Sequence, residues 1–191
     1  NDSVYGRTNY YVLKMFSENR PDVNLHTDLK PASPEPVFRT NGFIGLGTNN
    51  TEAQFKDLKV IVNGEEIYTS GWSDFVDKWT IIRGDWKTEG NLLSQSQKGI
   101  DALAILEDRE FDDCTIELKA KKISGTEGFR IVFGGTDSNN YFMADIGSHT
   151  NESVIFREVN NEGSISLFDY RNTASIKTDQ WYTVRIEIKG C

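Results

Sequence analysis

Apolar residues along most of this chain recur at every second position, the period of a strand with one face in a core. The clearest case is GFRIVFGGTDSNNYFMADIG, residues 128–147. Phe129, Ile131 and Phe133 point one way, Arg130 and Val132 the other; Phe142, Ala144 and Ile146 then oppose Tyr141, Met143 and Asp145. Between the halves, GGTDSNN supplies turn chemistry, because glycine tolerates positive φ and Asp, Ser and Asn hydrogen-bond their own backbone. The stretch reads as a β-hairpin whose apolar face needs a second sheet to cover it. Its less buried face, with Arg130, Tyr141 and Asp145, is the first place to look for a ligand.

The same alternation continues on both sides. Residues 42–70 open Gly-rich, turn at Thr48 to Thr51, then alternate through Phe55, Leu58, Val60 and Val62. The slip at Lys56-Asp57 predicts a β-bulge, and Asn63-Gly64 is a strong hairpin signal. Residues 91–106 predict a further strand pair. Thr115 to Ile123 buries Ile116, Leu118 and Ala120 and shows Glu117, Lys119 and Lys121. Val154–Val159 and Ser164–Tyr170 flank a turn at Asn160 to Gly163. From Trp181, WYTVRIEIKG buries Tyr182, Val184, Ile186 and Ile188. Many short strands spaced by turns predict a mainly β fold, a sandwich or barrel. Trp72, Trp79 and Trp86 are spaced by seven, but the intervening glycines argue for separate strand or loop aromatics rather than one helical stripe.

The first 36 residues differ. NYYVLKMFSEN, residues 9–19, sets Tyr11 with Met15 and Val12 with Phe16 at i,i+4 spacing, behind Thr8 or Asn9 as N-cap, and predicts a short helix. All four prolines, Pro21, Pro31, Pro34 and Pro36, follow it. They fix φ and remove donors, so PASPEP reads as an extended linker. The expected organisation is a helix and linker over 1–36 and a β-sandwich over 37–191.

Charge narrows the function. A net charge of −8 over 191 residues disfavours nucleic acid and anionic membrane as partners and suits a neutral ligand such as a sugar. No apolar run reaches the roughly 20 residues of a membrane helix. The first residue is Asn1, which fits a mature secreted form or a piece of something longer. Cys114 and Cys191 are out of phase on their strands and are expected to be free thiols.

Beyond these patterns, two resemblances stand out. NYYVLKMFSENRPDVNL resembles the segment that closes the catalytic barrel in α-L-arabinofuranosidases of glycoside hydrolase family fifty-one, ahead of an accessory β-sandwich. The order GFIGLGT, FKDLKV, NG, then W with GDW, then FDDCTIEL, EGFRIVFG, NYFMADIG and WYTVRIEIKG is similar to laminin-G-like, concanavalin-A-like jelly rolls appended to secreted polysaccharide-degrading enzymes. The resemblance implies a two-sheet antiparallel jelly-roll sandwich of concanavalin-A-like type, secreted, periplasmic or at the cell surface. Its partners would be plant cell-wall polysaccharide and the catalytic barrel of the same polypeptide. Two departures matter: the GLGT…FKDLKV element usually closes such a domain and here leads it, and the family would continue past Cys191 with another strand. The chain is therefore expected to be a fragment of a larger enzyme.

Catalysis finds little support in the residues themselves. His26 and His149 lack metal or nucleophile partners at useful spacing, and no GxSxG, HExxH or phosphate-loop pattern occurs. Glycoside hydrolysis needs two carboxyl groups about 5–9 Å apart; in the resembled family they lie on barrel strands, which would precede residue 1, so this chain is expected to be inert. Sugar binding needs flat aromatics for stacking and planar polar groups for hydroxyls. Arg130, Tyr141 and Asp145, extended by Arg157 or Glu158, form such a row; cross-strand ion pairs on a solvated sheet would place the same residues there. Trp72, Trp79, Trp86 and Trp181 could stack, Trp86 being the candidate carried forward, and two or more are expected in the core. No cofactor is expected beyond a structural calcium, which related jelly rolls often carry; Asp57, Asp137 and Asn139 have the oxygen chemistry. The readings left open are a carbohydrate-binding module, a structural sandwich resting on the barrel, and an autonomous sandwich-fold hydrolase.

Overall fold

The structure is a computed structural model, and it describes residues 15–16, 24–25, 41–172 and 175–189. Fifteen strands and one short helix follow in order among them, with a left-handed turn at Ser148–Asn151. They are β1 Met15–Phe16, β2 Asn24–Leu25, β3 Gly42–Asn49, β4 Thr51–Val62, β5 Glu65–Ser70, α1 Phe75–Lys78, β6 Trp79–Arg83, β7 Trp86–Glu89 and β8 Leu92–Gln95. Then come β9 Asp101–Phe111, β10 Cys114–Gly125, β11 Phe129–Asp137, β12 Asn140–Gly147, β13 Ser153–Asn160, β14 Gly163–Arg171 and β15 Trp181–Glu187.

Two antiparallel sheets face each other. One runs β14-β13-β12-β11-β3-β9-β6; the other runs β15-β10-β4-β8-β7, with β5 also on β4. The strand period explains this directly. In β10 the inward phase is Cys114, Ile116, Leu118 and Ala120, all buried, against half-buried Thr115, Glu117, Lys119 and Lys121. From the other sheet, Leu46, Leu106, Phe129, Ile131 and Ala144 meet Phe55, Leu58, Val60 and Leu118 in one cluster. Each fully buried side chain of that size contributes about 1.5–3 kcal/mol. The fold is the expected two-sheet antiparallel β-sandwich.

The 128–147 hairpin forms in the register its alternation demands, Phe129 opposite Ile146, Ile131 opposite Ala144 and Phe133 opposite Phe142. The bulge at Lys56-Asp57 is present too: Glu117 pairs Lys59 and Lys119 pairs Lys56, so Asp57 and Leu58 oppose Leu118 alone. Asp57 takes φ 55 there. The bulge divides one edge of β4 between two neighbours, β8 on Ala53–Phe55 and β5 on Leu58–Val62.

The pairing expected within residues 91–106 needs revision, and other expectations fall wholly or mostly outside the described residues. The two strands of residues 91–106 do not pair with each other. β8 joins β4 and β7, whereas β9 joins β3 and β6 in the opposite sheet. The helix expected over 9–19 falls mostly outside the described residues; within it, Met15–Phe16 form a short strand paired with Asn24–Leu25. The domain boundary at 36 and Cys191 also lie outside the described residues, while Cys114 is free and buried.

Candidate functional site

Pairing places Arg130, Tyr141, Asp145 and Arg157 on one surface, the outer face of the seven-stranded sheet. Arg130 lies opposite Asp145 on β12 and opposite Gly47 on β3. Arg157 lies opposite Met143, and Tyr141 opposite Val159. Arg157 rather than Glu158 joins this row because Arg157 pairs outward-facing Met143, whereas Glu158 pairs inward-facing Phe142.

These side chains are bound to one another. Arg130 Nη2 donates to Asp145 Oδ2 at 3.2 Å, and Nη1 to Asp101 Oδ1 at 2.6 Å. Gly47 carries no side chain, which lets Arg130 cross β3 to reach Asp101 at the start of β9. Asp145 Oδ2 also accepts from Arg157 Nε at 3.4 Å and Ser148 Oγ at 3.3 Å, and Arg157 Nη1 donates to Ser166 at 2.9 Å. The result is a ladder from β9 to β14. It is not the solvated row that strand alternation implied: the side chains of Arg130 and Asp145 are 12% and 2% exposed.

The electrostatics follow from that burial. Desolvation alone would lower the Arg130 guanidinium, but Asp145 and then Asp101 overcome it and hold it above its ordinary value. Glu127 is pushed up, first by burial and then by the Asp145 charge, and its Oε2 is buried with no hydrogen-bond partner. The rest of the face is apolar and closed, with Phe43, Leu103, Ile105, Val132, Tyr141 and Met143 in one buried cluster. Burial raises the Tyr141 hydroxyl, partly offset by Arg83. Sequence reasoning did not find Asp101 or Arg83, which strand register brings in, nor Ser148 and Glu127, which lie three residues from Asp145 and Arg130 at the ends of the hairpin strands. No local pattern marks them.

Trp86 is elsewhere. It is 6% exposed, belongs to the core between the sheets, stacks on Phe55 at 6.0 Å and donates its indole N–H to Arg83 O at 2.9 Å. Trp72 and Trp79 are buried as well, and only Trp181 is half-exposed. Trp86 nonetheless borders an open cleft of about 440 Å³ beside the edge strands β6 and β7. Phe75, Val76, Trp79, Ile81, Lys87 and Thr88 complete its lining. Val76 and Ile81 are 87% and 46% exposed there, so the cleft is apolar and reachable.

The calcium candidates do not converge. Asp57 lies on β4 with Lys119 at 3.5 Å and Asn91 at 3.3 Å. Asp137 belongs to the other sheet and accepts from the Asn139 N–H at 2.8 Å and from Asn140 Nδ2 at 2.9 Å. Asp137 and Asn139 are thus joined by the turn itself, and the three residues do not form one donor set. Among the described residues, no group of three or more His, Cys, Asp or Glu could hold a metal ion. His149 is half-exposed, with Nε2 3.8 Å from Asp169; His26 lies outside the described residues.

Comparison with known proteins gives one informative match. The whole chain is 25% identical, over 193 aligned residues, to a segment of an extracellular exo-α-L-arabinofuranosidase of Streptomyces chartreusis. The chain spans 23% of that relative's length. No protein-family model matches it, and no solved structure matches it significantly. No helix among the described residues is long and apolar enough to cross a membrane.

Proposed function

We propose that this chain is a non-catalytic, carbohydrate-binding accessory module of a secreted α-L-arabinofuranosidase of the family fifty-one type, a laminin-G-like jelly roll that holds its enzyme on cell-wall arabinan or arabinoxylan. The observation that carries this is the match along its whole length to under a quarter of an extracellular exo-α-L-arabinofuranosidase. A segment of that size, built as a sandwich, suits an accessory unit better than a catalytic one. The acidic group at the centre of the outer face agrees: Asp145 is engaged by two arginines and a serine. Weak sugar contacts would gain by avidity from the attached enzyme.

The cleft beside β6 and β7 is the better sugar site. Val76 and Ile81 give it accessible apolar surface over a lining of Phe75, Trp79 and Trp86, and Lys87 and Thr88 can reach hydroxyls. The ladder through Arg130 and Asp145 instead favours a second reading, a structural sandwich that rests on the barrel, because the Asp145 carboxylate and both Arg130 Nη atoms are already engaged within the fold. Calorimetric titration of arabino-oligosaccharides separates the two. Saturable heat that Lys87→Ala and Thr88→Ala together reduce supports sugar binding in the cleft; a folded protein giving no heat at millimolar sugar leaves the structural role. Turnover of a chromogenic arabinoside would overturn both.

A further inference from the structure

The outer face of the six-stranded sheet is divided. In one half, charges are matched across strands: Lys59 meets Glu66 at 2.6 Å, and Arg185 meets Glu117 at 2.8 Å and also Glu187. In the other half they are not. Lys56 sits directly opposite Lys119 on β10, and Lys121 directly opposite Trp181 on β15. Among the described residues, only Lys119 of the three has a carboxylate in range, Asp57 at 3.5 Å. Like charges placed directly opposite on a sheet are destabilising. A protein of net charge −8 has carboxylates to spare, yet it gathers three ammonium groups here.

They gather around an aromatic ring. The Lys56 and Lys121 ammoniums lie 4.3 and 5.0 Å from the Trp181 ring centroid, held by cation–π attraction. Trp181 is half-exposed, unlike the chain's other three tryptophans. Beside it the Gln54 amide and Thr183 hydroxyl point to the same face, since Lys121 pairs Gln54 and Lys119 pairs Thr183.

We propose that this half-face, Trp181 with Lys56, Lys119 and Lys121, binds an acidic oligosaccharide, a chain of uronic acids. One sugar packs against the part of the indole that the two lysines leave uncovered, and the carboxylates accept charge-assisted hydrogen bonds from the ammoniums. Gln54 and Thr183 take hydroxyls. Holding both lysines on the indole before binding reduces the entropy lost on capture. A nucleic acid would also favour lysine and an aromatic ring, but the uncharged Gln54 and Thr183 beside the indole suit sugar hydroxyls, and the net charge of −8 confines any acidic ligand to a short chain. This site is separate from the cleft and does not depend on arabinoside binding.

The test titrates de-esterified oligogalacturonates into the full chain, with their methyl-esterified counterparts and a single-stranded oligonucleotide as comparisons. The expected result is saturable binding of the acidic sugar that weakens as salt is raised through about 0.1 M, with the esterified form bound roughly tenfold more weakly or worse. Lys56→Gln with Lys121→Gln should cost at least about tenfold in Kd, or about 1.4 kcal/mol. Lys59→Gln, in the matched half, should change Kd by less than about twofold. Absence of binding, equal binding of the esterified sugar, tighter binding of the oligonucleotide, or an equal loss in Lys59→Gln would each overturn the proposal. Heat from arabino-oligosaccharides should be unchanged in the lysine variants, so that the two sites fail or stand separately.

Discussion

Replacing Asp145 with asparagine should be among the most damaging isosteric changes this sandwich can suffer. The carboxylate is 2% exposed and receives Arg130, Arg157 and Ser148 on one oxygen. Removing its charge leaves the Arg130 guanidinium, 12% exposed, with only the well-solvated Asp101. Breaking a buried ion pair from one side costs about 3–5 kcal/mol, because the remaining charge is uncompensated. Against a total stability of roughly 5–15 kcal/mol this is a large fraction. In a domain of this size each kcal/mol is worth about 2–4 °C of melting temperature, so a drop of about 6–20 °C is expected. The assay is urea and thermal unfolding of Asp145→Asn, Arg130→Met and Asp145→Leu with Arg130→Met. The double apolar variant should recover most of the loss, since it removes both desolvation penalties together. A loss below about 1 kcal/mol for Asp145→Asn, or one that added salt abolishes, would mean that the ladder behaves as surface ion pairs. The account of a closed outer face would then be refuted.

Other substitutions probe the same interior. Glu127 binds its proton more tightly folded than unfolded, because burial and then Asp145 raise it, so stability should fall as pH rises from the ordinary carboxylate range through the raised value. Glu127→Gln should flatten that slope and be more stable than the parent at pH 7, as paired urea titrations between about pH 4 and 8 would show. Cys114, pushed up to about 12 first by burial and then by Asp113 and Asp112, should resist iodoacetamide at neutral pH until denaturant opens the fold. That labelling is followed by mass spectrometry in a Cys191→Ser background, and rapid modification of the native protein would contradict it. Gly135→Ala would bring a Cβ to 2.2 Å from the Phe43 ring, an overpacking cost of about 1–3 kcal/mol that Phe43→Leu should partly relieve in thermal melts.

The hairpin at 128–147 was legible because alternation, register and turn residues all lie within 20 consecutive positions. The bulge was legible for the same local reason, since the slip at Lys56-Asp57 interrupts the period that places Phe55 and Leu58 inward. What escaped the sequence is set by long-range pairing. Nothing near Leu92 and Asp101 says that their strands go to opposite sheets. Trp86 reads as a stacking aromatic until β7 joins β8 and turns its ring onto Phe55. The outer face looked open because Arg130, Tyr141 and Asp145 are polar. Gly47 on β3 leaves the gap that Arg130 crosses, and Gly135 on β11 the gap that the Phe43 ring of β3 fills. The site that does stand open, beside Trp79 and Trp86, is assembled from the margins of both sheets and has no contiguous signature.

The left-handed turn at Ser148–Asn151 ties down a distant segment through a single amide. Asn151 Nδ2 donates to Ile176 O at 2.9 Å, and its Oδ1 accepts from the Ile176 N–H at 2.8 Å, so one side chain copies a rung of backbone pairing. Such a rung has a chemical clock in it. Hydrolytic ageing of asparagine to aspartate would exchange the donor for an oxygen that faces another oxygen, and the chain leading to β15 would then be held further along, by Lys177, by Thr178 and Asp179 on Lys122, and by the buried Ile176 side chain. For the same reason an N-linked glycan at the Asn151-Glu152-Ser153 sequon could be added only while that nitrogen is still unclaimed, before the loop closes on it.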